Sequence, residues 1–195
     1  MGAQRSSPAA GMSEALPLRA RAAWRAFAVA IATLIVALSA QVVVPVPFSP
    51  VPMTLQPLAV LAVGGLLGAA AGASALSLYL VLGLLGLPVF AGGSAGIVHL
   101  LGPTGGYLLA FPVAAALAGS LPSHRQTAPG WVLLACAAGM FVIHAGGVAH
   151  LALLGGAPLL AFRVGFIPFL TGDLVKVGLA AAVILAVGGR LRAHR

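Results

Sequence analysis

Asp173 and Lys176 sit in a run of about twenty mostly apolar residues, Ile167 to Val187, long enough to cross a membrane as a helix. The whole chain has two acidic residues, Glu14 and Asp173, and Lys176 is its single lysine. On a helix, i,i+3 spacing puts carboxylate and ammonium on one face, where they can pair. At the centre of a membrane helix each charge costs roughly 2.5–3.5 kcal/mol. The pair is therefore either a self-neutralised packing pin or part of a polar cavity that hydrogen-bonds a ligand. Intramembrane ionisable groups mark functional sites, which favours the cavity. Asp173 would accept N–H groups, and Lys176 would donate to a carbonyl or carboxylate.

These charges stand out because the surroundings are so apolar. Of 195 residues, 61% are hydrophobic and 6% charged, with a mean hydropathy of +1.13. A soluble domain of this composition would have almost no charge for its surface. The apolar runs exceed the roughly ten-residue alternating segments of an outer-membrane barrel. The expected class is an all-α integral membrane protein, and the 26 glycines suit close helix packing in lipid. The net charge of +8 is concentrated at the chain ends and in one loop. That is a topology signal rather than a nucleic-acid surface. A lone Cys136 excludes an intramolecular disulfide framework and a cysteine-cluster metal site. Neither a metal site nor a cofactor is expected.

Six transmembrane helices are predicted as a bundle: Ala26–Val44, Leu58–Ala70, Gly72–Leu87, Thr104–Leu121, Trp131–Leu154 and Ile167–Val187. They form one domain, 26–190, between a tail at 1–25 and a basic tail at 191–195. Pro103 is expected in the first turn of the fourth helix. Two irregular apolar segments interrupt the pattern. Residues 41–57 contain five prolines and cannot be a regular helix. Residues 86–107 are rich in glycine. Irregular apolar backbone must be buried in protein or line a cavity, so the first segment reads as a cap, with Ser49, Thr54 and Gln56 as its polar side chains. Phe90 and Tyr107 could hold a ring or alkyl chain, and Tyr79 and Tyr107 also suit a membrane interface. Eight arginines fall on the side of the two termini and Arg163 alone on the other, so both termini are expected to be cytoplasmic. The two irregular segments and the start of the last helix then converge near the outer face.

Other chemistries are weaker. Gly92-Gly93-Ser94-Ala95-Gly96 matches the G-x-S-x-G pattern of serine hydrolases, with His144 or His150 as base. It lacks the strand–turn–helix setting of a nucleophile elbow, so no enzyme is expected. His99, His144 and His150 read as hydrogen-bonded packing residues. A carboxylate held by a lysine makes a poor proton relay. Gly102 to Tyr107 lacks the lysine of a phosphate loop, so concentrative uptake would need an external engine.

Val51 to Val60, Gly86 to Gly93, Gly102 to Tyr107 and Pro168 to Lys176 together resemble the BioY family, the biotin-binding S components of energy-coupling factor (ECF) transporters. The resemblance spans about residues 26–190. It implies a six-helix S-component fold in the cell membrane and capture of biotin from outside. The implied partners are a transmembrane coupling subunit and two ATP-hydrolysing subunits. Self-association is left open, and another vitamin is the nearest alternative substrate. It also implies that Asp173 and Lys176 meet the ligand; Thr54, Gln56, Phe90, Gly92 and Tyr107 are expected around them from the reading of the residues themselves. Ala26/Ala30 or Ala28/Ala32 would dock the coupling subunit. Some relatives carry Asn where this chain has Gly92, so another group would replace it here. The ureido ring of biotin has two N–H donors and a carbonyl, which an Asp and a Lys complement.

Overall fold

The computed structural model describes residues 18–121 and 128–193. Eight α-helices occur among them: α1 (Leu18–Ser39), α2 (Gln56–Leu67), α3 (Ala69–Leu84), α4 (Ile97–Leu101), α5 (Gly105–Ala118), α6 (Pro129–Gly155), α7 (Pro158–Gly165) and α8 (Leu170–Ala193). Helix α1, helix α6 and the α7–α8 segment are long and apolar enough to cross a membrane. Helices α2, α3 and α5 are apolar but have only 12, 16 and 14 residues. Helices α1, α2, α3, α5, α6 and α8 lie at the six predicted places.

Their boundaries moved for physical reasons. Helix α1 begins at Leu18 rather than Ala26, because arginine is a good helix former whose long stem lets its charge leave the apolar zone. It ends at Ser39 rather than Val44. Val43–Val44 instead pair antiparallel with Met53–Thr54 as strands β1 and β2. Together they close residues 43–54 into a flap. Only the second half of this flap is covered: Val51 is buried, whereas Phe48 at the tip is 98% exposed with φ +65°. The break between α2 and α3 falls at Gly68, not near Ala71. Its φ of +85° is open to glycine at little cost. Pro103 lies in the turn before α5, whose N-cap is Thr104, rather than inside its first turn. The connector after α6 holds α7, and a 3-10 turn through Pro168 precedes α8. His124 and Arg125 lie outside the described residues.

Helix α2 lies at the centre, against α1, α3, α5, α6 and α8. Helices α5 and α6 pack most extensively. Glycine makes this approach feasible: a Cβ on Gly106 would strike the Gly146 carbonyl and His150, and one on Gly147 the Tyr107 ring. Small residues replace the hydrophobic driving force in this way inside lipid. The end of α1, the starts of α2, α5 and α8, and the flap and glycine-rich segment gather at one end of the bundle.

Candidate ligand-binding site

A partly enclosed cavity opens at that end, with about 50 Å³ of inner space. The flap contributes Val51, Met53 and Thr54, and α2 contributes Gln56. Tyr107, Leu108 and Phe111 come from α5, Ile143 and His144 from α6, and Asp173 and Lys176 from α8. Apolar walls with a few convergent polar groups suit a ligand that is part ring or chain and part hydrogen-bonding head.

The polar floor is a three-residue cluster. Lys176 Nζ donates to Asp173 Oδ1 at 2.9 Å, and His144 Nε2 lies 2.5 Å from Asp173 Oδ2. Asp173 and Lys176 are 5% and 6% exposed, so each depends on the other for compensation. Each carboxylate oxygen has a further lone pair, and Lys176 has further N–H donors. The cluster is held but not saturated. His144 stands edge-on to Tyr107 and Phe166, and its Nδ1 is buried without a hydrogen-bond partner.

The cap is tied down separately. Thr54 Oγ1 donates to Gln56 Oε1 at 3.1 Å, Gln56 Nε2 to Tyr79 Oη at 2.7 Å, and Tyr79 Oη to the Val89 carbonyl at 3.1 Å. This chain links the flap to α3 and the glycine-rich segment. Tyr107 Oη donates to the Gly165 carbonyl at 2.6 Å, leaving its ring for the cavity wall. Both tyrosines are buried, which removes the interfacial reading. Ser49 closes its own turn at Val51.

The predicted residues divide accordingly. Thr54, Gln56, Tyr107, Asp173 and Lys176 meet around one cavity. Phe90 does not line it. It is fully buried between Tyr79 and His99, over a Gly83 too small to hold it off. Gly92 is exposed with φ +64°, away from the cavity wall. Ser94 donates to the Ala91 carbonyl at 2.7 Å. Neither proposed base meets it: His144 is on Asp173, and His150 Nε2 contacts the Gly102 carbonyl at 3.1 Å. The sequence reading missed His144 as a site residue and missed Thr104. A histidine in an apolar helix was the one available signal for His144.

A second, more open recess lies between α1 and α2, lined by Trp24, Phe27, Ala28, Ile31, Ala32 and Ile35 against Val63, Leu66 and Leu67. Ala28 and Ala32 face this groove, whereas Ala26 and Ala30 are exposed on other parts of α1.

The sequence profile of the BioY family matches residues 12–193. A probable biotin transporter BioY from Pyrococcus horikoshii is 43% identical over 141 residues, covering 72% of this chain and 82% of the relative. The biotin transporter BioY of Thermotoga maritima is 39% identical over 140 residues, with the same shares. A crystal structure of the S component for biotin from an ECF-type ABC transporter superposes with a TM-score of 0.80 at 24% identity, covering 89% of this chain and 95% of that one. That likeness shows the fold.

Proposed function

The chain belongs to the BioY family, and we propose that it captures biotin at the cavity floored by Asp173 and Lys176. The observation that carries this reading is the buried Asp173–Lys176 pair opening onto a pocket with otherwise apolar walls. Two ureido N–H groups suit the remaining lone pairs of Asp173, and the ureido carbonyl suits a free N–H of Lys176. The sulfur ring and alkyl chain suit Leu108, Phe111 and Ile143. Thr54 and Gln56 close the site from the flap.

The arginine distribution supports cytoplasmic termini and an outward-facing cavity mouth, in the cell membrane. Capture is then from the exterior. The protein serves as the substrate-binding subunit of an ECF transporter, without catalysis of its own. A coupling subunit docks at the α1–α2 groove through Ala28 and Ala32, and two ATP-hydrolysing subunits supply the energy.

The test is calorimetric titration of the detergent-purified protein with biotin, beside thiamine and riboflavin. One-to-one binding of biotin alone is the expected result. Failure of well-folded protein to bind biotin removes the substrate assignment.

A further inference from the structure

We infer that His99, with Ser94 and Thr104, forms an anion station at the mouth of the cavity that receives the carboxylate of the ligand. The inference rests on the proposed capture of biotin, whose two ends differ. The head is neutral and the far end carries a negative charge.

That charge has no counterpart in the floor. Asp173 and Lys176 already neutralise each other, and a carboxylate drawn into an apolar pocket without donors is costly. Arg163 is on α7 and does not line the cavity, and Arg19, Arg21 and Arg25 are on the first turns of α1, at the far end of the bundle. Of the three described histidines, His144 is engaged by Asp173 and His150 is turned to Gly102. His99 borders both the inner cavity and a wider outer recess. Thr104 borders both as well, and Ser94 the outer one.

The three polar side chains converge. His99 Nε2 is 3.1 Å from Thr104 Oγ1 and 3.5 Å from Ser94 Oγ. The imidazole is stacked on Phe90, with centroids 5.2 Å apart and planes at 17°. Phe90 is itself fully buried, so the ring is held in place. An aromatic face beneath also suits an imidazolium. An entering carboxylate can accept from all three groups once the hydroxyls turn.

Proton linkage follows. Burial pushes His99 below the ordinary histidine range, so the ring of the empty site is neutral near pH 7. A bound carboxylate favours the charged form, raising the value in the complex. Binding then takes up a proton. Affinity rises as pH falls through the bound-state value and levels off below the free-state value. The titratable groups around His99 are His150 across the Gly102 turn, and Tyr107, His144, Asp173 and Lys176 across the cavity. Asp173 is the one acidic residue among those described, and it is already paired.

The experiment compares biotin with its neutral primary amide on the purified protein, between about pH 6 and pH 8. Calorimetry in buffers of different ionisation enthalpy counts the protons. Wild type should bind biotin several-fold more tightly at the acid end, with proton uptake, and bind the amide with little pH dependence. His99→Gln should bind the amide as wild type does, but lose about tenfold for biotin and lose the pH dependence. An equal pH slope for the amide, or His99→Gln binding biotin like wild type, overturns the anion station and leaves biotin capture standing. Absence of biotin binding by folded wild type at every pH overturns both.

Discussion

His144 and Asp173 come from helices 29 positions apart in sequence, yet His144 Nε2 and Asp173 Oδ2 lie 2.5 Å apart. The contact fixes the second oxygen of a carboxylate whose first oxygen is fixed by Lys176. Asp173 therefore presents its remaining lone pairs in a set direction, which a ring with two parallel N–H groups can use.

Removing either charge should be severe. Asp173→Asn and Lys176→Ala should each weaken biotin binding at least about 100-fold, some 2.7 kcal/mol. Each single change also leaves a buried charge uncompensated, at about 3–5 kcal/mol of stability. The neutral double variant Asp173→Asn with Lys176→Met should recover thermal stability but not binding. Titration and melting in detergent decide this, and near-normal affinity in both folded single variants would refute the site.

Replacing His144 separates its contact from its bulk. His144→Gln retains an N–H that can reach Asp173, whereas His144→Leu does not. Glutamine should keep affinity within about threefold, and leucine should lose about tenfold, on the scale of one charge-assisted hydrogen bond. Equal affinities for the two variants would show that His144 only fills space.

The pair on α8 was legible because helical periodicity alone puts i,i+3 residues on one face. The irregular segments were legible because proline and missing hydrogen bonds rule out regular helix there. Their convergence with α8 also followed from topology. His144 was not legible, since its partner lies on another helix and no local pattern links them. Phe90 stands behind the wall rather than in it, and residue type alone cannot tell the two places apart. The absence of a side chain at Gly83 decides that, and this is a tertiary fact. The α2–α3 break was shifted because several small residues could serve, and Gly68 takes the positive φ.

The cap should depend on Tyr79. Tyr79→Phe leaves the Gln56 amide without its acceptor and the Val89 carbonyl without its donor. Unsatisfied buried groups cost about 1–3 kcal/mol. Biotin dissociation followed by stopped flow should speed up about tenfold, reflecting a looser flap. An unchanged rate would mean that the flap is held elsewhere.

The groove on α1 should matter for uptake but not for capture. Ala28→Trp fills the recess between α1 and α2. Cells with the complete transporter should take up biotin much more slowly, while the purified variant keeps its affinity. Normal uptake would move the docking surface off this face.

The serine of the glycine-rich segment should be inert to acylating chemistry. Its hydroxyl is given to Ala91, and no carboxylate among the described residues orients His99. A serine-directed fluorophosphonate should leave Ser94 unmodified by mass spectrometry, and an adduct there would reopen the hydrolase reading.

The short central helices bear on the surrounding lipid. At about 1.5 Å per residue, the twelve residues of α2 reach only ~18 Å and those of α3 ~24 Å, against a hydrocarbon core of ~30 Å. Beside them α6, with 27 residues, reaches ~40 Å. Because α2 is enclosed by its neighbours, the shortfall reaches the lipid at α3, where acyl chains would shorten locally at a fraction of a kcal/mol for each ångström of mismatch.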